Sequence, residues 1–307
     1  MAEKGVLLES GTNELEIVEF SVSNNRFGIN VIKVREIINP SPIVSIPHSH
    51  PSIEGIMEIR GEILPVINMA RVLGYPDSNQ LAQDKLIVSE FNQQKVIFHV
   101  HGVDKINRIS WEQIEKPTDL YQNAENQIIG VIRKEDGMIL LLDFEKILMD
   151  INPSTGINQE RLKQVERKDR SKFRIVIAED SAMLRKLLSD TLTEAGFANM
   201  EFFENGKDTL DYLESRIKED VPLQEVVDLV ITDIEMPIMD GLFFTKQIKQ
   251  HPVLSNLPVV IFSSLITDDL RHKGETVGAD AQVSKPEIAD LIHVVDKYLQ
   301  KIPGSYE

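Results

Sequence analysis

Three carboxylates, a hydroxyl and an ammonium stand just past short, mostly apolar runs in the second half of the chain. Glu179 and Asp180 follow Phe173–Ala178. Asp233 follows Val226–Thr232, in Thr232-Asp233-Ile234-Glu235-Met236-Pro237. Ser263 and Ser264 follow Val259–Phe262, and Lys285 with Pro286 comes after Ala281–Val283. Runs of this kind read as strands buried on both faces of a parallel sheet. In such sheets ligands gather at the carboxyl ends of the strands, so these groups are expected to converge on one edge. Carboxylates packed together repel unless one takes a proton or a cation sits among them. Oxygen donors without His or Cys favour Mg²⁺. A carboxylate beside such an ion can attack phosphorus and form an aspartyl phosphate, while metal and ammonium neutralise the transferred oxygens. Lys285 suits the ammonium. Ser263 suits a hydroxyl that hydrogen-bonds a phosphoryl oxygen and senses its arrival.

The elements that must position these groups alternate in period. Ser181 can cap a helix in which Leu184, Leu187, Leu188, Leu192 and Ala195 recur at three and four, with Gly196 ending it. Gly206–Ile217, Leu242–His251 and Glu287–Leu299 also read as helices, with a further strand at Met200–Phe203. Strand–helix alternation gives a parallel α/β sheet covered on both faces. The first half instead has period two. Val18, Phe20 and Val22 lead to Asn24-Asn25, then Phe27, Ile29 and Val31. Further hairpins are expected around Gly61-Glu62, Asn92-Gln93-Gln94 and Glu135-Asp136-Gly137, which together describe an all-β barrel or sandwich. Asn30–Ile38 is either strand or strand running into a helical turn. Asn152-Pro153-Ser154-Thr155-Gly156 is turn chemistry, and the polar run to Lys172 reads as a linker with a loose helix at Gln159–Glu166. The expected organisation is a β-rich domain over 1–150, a linker over 151–172 and an α/β domain over 173–303.

Composition narrows the function. The 307 residues carry 33 Lys+Arg against 49 Asp+Glu, a net charge of −16, and no local basic patch, which argues against nucleic acid and anionic lipid as partners. The absence of cysteine removes disulfides, thiolate zinc sites and thiol catalysis. No targeting leader and no apolar run near the ~20 residues of a membrane span are visible, so a cytoplasmic protein with no direct membrane insertion is expected. His48 with His50, and His99 with His101, alternate as strand residues sharing a face do, and each pair could chelate zinc. No carboxylate partner is evident for them, and surface or turn histidines are the expected reading.

The ordered set Glu179-Asp180, Asp233, Ser263 and Lys285-Pro286 resembles the response-regulator receiver domain, over roughly Phe173 to Pro303. The resemblance implies a flavodoxin-like five-stranded parallel sheet of order 2-1-3-4-5, an order that receivers share with flavodoxins. It implies Asp233 as phosphoacceptor, with Glu179 and Asp180 as the acidic pair for Mg²⁺ and the backbone carbonyl of Glu235 as a further ligand. Ser263 would be the switch hydroxyl, Lys285 the invariant lysine, and the Lys285–Pro286 bond cis. Three departures stand out. Glu179 replaces the commoner Asp. The segment Ser215–Glu225 is longer and more charged than usual, so an extended loop is expected. Gln282 takes the place where an aromatic rotamer switch often sits.

In the first half, Phe27–Ile38, Val44-Ser45-Ile46-Pro47 and Glu54–Asn68, above all Ile59-Arg60-Gly61 with Leu64-Pro65-Val66-Ile67, resemble the CheW-like coupling domain of bacterial chemotaxis. That resemblance implies two SH3-like five-stranded β-barrels side by side. It also implies docking to the cytoplasmic tip of chemoreceptors and to the histidine kinase CheA, hence recruitment to membrane-associated receptor arrays. By position in the motif, Val34, Glu36 and Arg60 match receptor-docking residues, although Val34 could equally be core and Glu36 could pair with Arg35 or Arg60. The expected function is a chemotaxis adaptor regulated by phosphorylation at Asp233, through adaptation or as a phosphate sink. Such a protein is a phosphoacceptor rather than an enzyme. The alternatives are a constitutive scaffold with a vestigial receiver and a Mg²⁺-dependent phosphohydrolase.

Overall fold

The computed structural model describes residues 12–91, 94–115, 127–152, 167–218, 221–264, 268–285 and 287–301. The chain divides into two compact units, one comprising Leu15–Gly156 and the other Ile157–Glu307 together with Met1–Glu14.

The first of these is β-rich. Its strands are β1 (Glu14–Val22), β2 (Asn25–Asn30), β3 (Val34–Ile38), β4 (Ile53–Ile59), β5 (Glu62–Asn68), β6 (Lys85–Phe91), β7 (Gln94–Val100), β8 (Gly102–Ser110), β9 (Ile114–Glu115), β10 (Ile128–Lys134) and β11 (Gly137–Leu142), with short helices α1 (Met69–Val72) and α2 (Phe144–Ile151). They form a sheet of order β8-β1-β2-β11-β10-β9 and another of order β3-β6-β7-β5-β4. Both expected β modules are thus present, and one gains a sixth, two-residue strand, β9. Alternate apolar residues of the two sheets meet in one core, where Phe20, Phe91 and Phe98 lie against Phe144 of α2 and Phe27 stacks on Phe20.

The ambiguous stretch after Asn30 resolves as one 3₁₀ turn, Val31–Lys33, before β3. Asn30 causes it, because its side chain accepts from the Ile32 amide and so competes with the sheet ladder. The β4–β5 turn falls one residue earlier than expected. Ile59 pairs with Glu62, so Arg60 and Gly61 form the loop, with φ of 53° and 86°. Two consecutive positive φ values match the twist of the flanking strands, as two-residue hairpins require. Phe91 pairs with Gln94, while Asn92 and Gln93 lie outside the described residues.

The second unit alternates strictly: β12 (Arg174–Ala178), α3 (Ala182–Glu194), β13 (Asn199–Phe203), α4 (Gly206–Lys218), α5 (Leu223–Val226), β14 (Leu229–Thr232), α6 (Gly241–Gln250), β15 (Val259–Ser263), α7 (Asp268–Thr276), β16 (Ala281–Ser284) and α8 (Ile288–Leu299). All strand pairs are parallel, in the order β13-β12-β14-β15-β16. Ile175, Ile177, Leu229 and Ile231 face the layer holding Leu188, Leu192 and Leu291. Val176, Ala178 and Val230 face the opposite layer with Leu213, Phe244 and Ile248. Strands buried on both sides explain the unbroken apolar runs.

Two details differ from expectation. Helix α4 runs to Lys218 and α5 begins at Leu223, where an extended loop over Ser215–Glu225 was expected. The run Val226–Thr232 is not all strand: Val226 ends α5, and β14 begins at Leu229 after Asp228 accepts from the Arg174 amide. Helix α7 is the connection that strand–helix alternation implies between β15 and β16, although its charged sequence has no apolar period to mark its bounds. The loose helix at Gln159–Glu166 and the isomer of Lys285–Pro286 lie outside the described residues.

Candidate functional site

Strand ends position the polar groups of the second unit. Glu179 and Asp180 follow β12, Asp233 follows β14, Ser263 closes β15 and Lys285 follows β16. The register aligns these ends, since Ala178 pairs with Thr232 and Ser263 with Ser284. Backbone bonds continue the alignment past the strands, from the Asp233 amide to the Ala178 carbonyl (2.9 Å) and from the Lys285 amide to the Ser263 carbonyl (3.1 Å).

Glu179, Asp233, Ser263 and Lys285 are buried, and Asp180 is half-buried. Carboxylate oxygens of Glu179, Asp180 and Asp233 lie within 4.8 Å of one another. The Lys285 ammonium donates to Glu179 Oε2 and to Asp233 Oδ2, each at 2.8 Å. Buried charges persist only when paired, and one ammonium shared by two carboxylates does this here. The balance still favours negative charge. Burial pushes the Glu179 carboxyl up to about 7, with Lys285 opposing the shift and the Asp233 charge adding to it.

The Asp233 carboxylate also accepts from the Ile234 amide at 2.6 Å, which fixes its second oxygen. Glu235, whose carbonyl the resemblance assigns to the metal, lies two residues on in the same loop. An all-oxygen donor set of three carboxylates against one ammonium, reached through half-buried Asp180, has the chemistry of a Mg²⁺ site.

Three supporting residues escaped the sequence reading. Arg185, in the first turns of α3, donates from Nη1 to the carbonyls of Glu179 and Asp180 at 2.8 Å each, and so holds the acidic turn. Gly241 opens α6 where a Cβ would lie 1.7 Å from the Asp233 carbonyl oxygen; only glycine allows this approach. The signal was available in Asp240-Gly241, a helix cap followed by glycine, since the Asp240 carboxylate accepts from the Phe243 amide. Asn13 is the third. At the position of the usual aromatic switch, Gln282 donates to the Arg271 carbonyl of α7 at 2.7 Å and lies against Gly274.

In the β-rich unit, Val34 is half-buried and packs against the phenylalanine core. Arg60, at the hairpin tip and 81% exposed, donates to Glu36 of β3 at 2.8 Å. The described histidines form no shared zinc site. His50 Nδ1 accepts from the Ser52 amide and His101 Nδ1 from the Ser23 amide. His99 does have the carboxylate partners that the sequence did not reveal: Nδ1 lies 2.7 Å from Glu54 and Nε2 lies 3.1 Å from fully buried Asp84. Burial works against a charge on His99, but the bonds and charges of Glu54 and Asp84 outweigh it and raise its pKa. Residues far apart in sequence supply these partners, so spacing carries no trace of them.

Fold and site together define a coupling module joined to a receiver. The chain matches the CheW-like domain family over residues 16–152 and the response regulator receiver domain family over residues 175–296. It is 30% identical to chemotaxis protein CheV3 of Helicobacter pylori over 303 residues, covering 94% of this chain and 96% of that protein. Chemotaxis protein CheV1 of the same organism is 27% identical, over 94% of each chain. Chemotaxis protein CheW of Thermotoga maritima is 27% identical and matches 49% of this chain along 98% of its own length. The chain belongs to the CheV family of chemotaxis coupling proteins, adaptors that carry a receiver domain. Among the described residues no helix is long and apolar enough to cross a membrane.

Proposed function

We propose that this adaptor links the cytoplasmic tip of chemoreceptors to the histidine kinase CheA, and that phosphorylation of Asp233 tunes the link. The observation that carries the reading is the buried Lys285 ammonium held at 2.8 Å from both Glu179 and Asp233. That arrangement places a nucleophilic carboxylate at a sheet edge beside an ammonium ready for the oxygens of an incoming group.

Glu179, Asp180, Asp233 and the Glu235 carbonyl would hold Mg²⁺, which when bound neutralises charge on the transferred phosphoryl group. Asp233 Oδ2 attacks phosphorus, the P–N bond of the kinase phosphohistidine breaks, and its electron pair stays on the imidazole nitrogen, which takes a proton. Lys285 then turns from the carboxylates toward a phosphoryl oxygen. Ser263, buried at the end of β15, donates its hydroxyl to another and so registers the modification. The protein stores the phosphoryl group and does not turn over an external substrate.

On the β-rich unit, Val34, Glu36 and Arg60 form the receptor-facing patch. Arg60 is too exposed for its pairing with Glu36 to matter much for folding, which leaves it free to serve a partner. The test is transfer of label from phosphorylated CheA to the wild type and to Asp233→Asn, with and without Mg²⁺. Mg²⁺-dependent label lost in the variant is expected. An unlabelled wild type that still binds the kinase would instead favour a constitutive scaffold.

A further inference from the structure

The unit that contains the receiver fold also contains the chain up to Glu14, and one side chain of that leading segment is built into the loop after Asp233. Asn13 is buried, and its carboxamide makes two hydrogen bonds. Nδ2 donates to the Ile238 carbonyl at 2.9 Å, and Oδ1 accepts from the Asp240 amide at 3.0 Å. The segment it grips is strained. Ile238 is β-branched yet has φ of 69°, at the centre of a three-residue turn closed by the Met239 amide on the Pro237 carbonyl at 2.7 Å. A β-branched residue in that region persists only where its surroundings over-determine it. Asn13 supplies part of that constraint by occupying the carbonyl and amide on either side of Met239.

Asparagine is suited to the task twice over. It tolerates the left-handed backbone seen at Asn13, where φ is 58°, and it offers a donor and an acceptor on one short side chain. The path from this grip to the phosphoacceptor is short. Asp240 precedes Gly241, whose amide donates to the Ile234 carbonyl at 2.9 Å, and the Ile234 amide donates to the Asp233 carboxylate.

We infer that Asn13 is a positioning residue for the phosphoacceptor loop, clamping the 237–240 turn so that Asp233 and the Glu235 carbonyl are pre-set for the incoming group. This rests on the reading of Asp233 as phosphoacceptor. Because coupling is reciprocal, whatever binds at Asp233 also strengthens the grip on Asn13.

The test uses the full chain with beryllofluoride and Mg²⁺ as the phosphoryl probe, followed by amide hydrogen exchange. Asn13→Gly keeps the left-handed backbone and removes both side-chain bonds. In metal-free protein it is expected to speed exchange of the Asp240 amide about fivefold to tenfold, as loss of one hydrogen bond implies, with amides of β1 unchanged. Asn13→Asp, which keeps the acceptor, is expected to fall between. Beryllofluoride is expected to protect the Asp240 amide in the wild type and to bind Asn13→Gly at least threefold more weakly.

Unchanged Asp240 exchange in Asn13→Gly overturns the clamp. Faster exchange with unaltered beryllofluoride affinity overturns the positioning role. A wild type whose Ile234 amide ignores beryllofluoride overturns the phosphoacceptor reading and with it the coupling, while the metal-free Asp240 exchange still decides whether Asn13 holds the turn.

Discussion

Replacing Lys285 by Met tests the electrostatic design of the receiver site. In the wild type the ammonium lies 2.8 Å from Glu179 and from Asp233, and all three side chains are less than one-tenth exposed. Removing it leaves two buried carboxylates facing each other and a third close by. Breaking a buried pair by deleting one partner costs roughly 3–5 kcal/mol. Proton uptake limits the loss, because the carboxylates can neutralise instead of staying charged.

The pH dependence has a definite sign. A carboxyl whose folded pKa is raised makes the folded state bind more protons than the unfolded state, so stability falls as pH rises, by roughly 1.4 kcal/mol per unit and proton. In the wild type, Glu179 gives this slope from its ordinary 4.5 up to about 7, where it ends. In Lys285→Met the slope continues above 7. Metal-free variant at pH 8 should therefore be about 3 kcal/mol less stable than wild type, a fall in melting temperature of roughly 6–12 °C for a unit of this size. Saturating Mg²⁺ should recover most of it, since the ion restores positive charge among the carboxylates. The assay is thermal unfolding of the full chain followed by helical circular dichroism at pH 6 and pH 8, with and without Mg²⁺. A variant as stable as wild type at pH 8, or a deficit that Mg²⁺ leaves untouched, would refute the reasoning.

Other perturbations separate the remaining roles. Gly241→Ala places a Cβ against the Asp233 carbonyl and should cost at least about 3 kcal/mol in urea unfolding while abolishing phosphoryl transfer. His99→Gln leaves Asp84 buried without its charged partner and should destabilise the β-rich unit by about 3 kcal/mol. For the wild-type His99, whose pKa is raised, the stabilising charge is fully present below about 6.5 and is lost as pH rises through the higher folded value. A chemical-denaturation series should show this fall in wild type and not in His99→Gln. Arg60→Glu should leave unfolding unchanged within about 0.5 kcal/mol yet weaken co-sedimentation with receptor-bearing membranes; equal binding would remove Arg60 from the docking patch.

Much was legible because local chemistry and global fold agree. Unbroken apolar runs ending in Glu179-Asp180, Asp233 and Lys285 fixed a parallel sheet and the edge where its polar groups meet, since period and strand direction leave few other arrangements. Hairpins in the first half were legible from alternation and turn residues, but the turns expected at Asn24-Asn25 and Gly61-Glu62 each fall one residue earlier, since Val22 pairs with Asn25 and Ile59 with Glu62. Helix α7 was implied by the strand–helix alternation but its bounds were not legible, because its charged sequence has no apolar period to read.

Sequence alone therefore determined the two modules, their order and the acidic, ammonium and hydroxyl groups of the site, because these depend on periodicity and on what ends each strand. Tertiary structure alone decided that Lys285 bridges Glu179 and Asp233, that His99 sits between Glu54 and Asp84, and that Asn13 grips a turn 225 residues away. Those pairings join segments distant in the chain, and side-chain partners brought together by packing leave no spacing in the sequence from which they could be read.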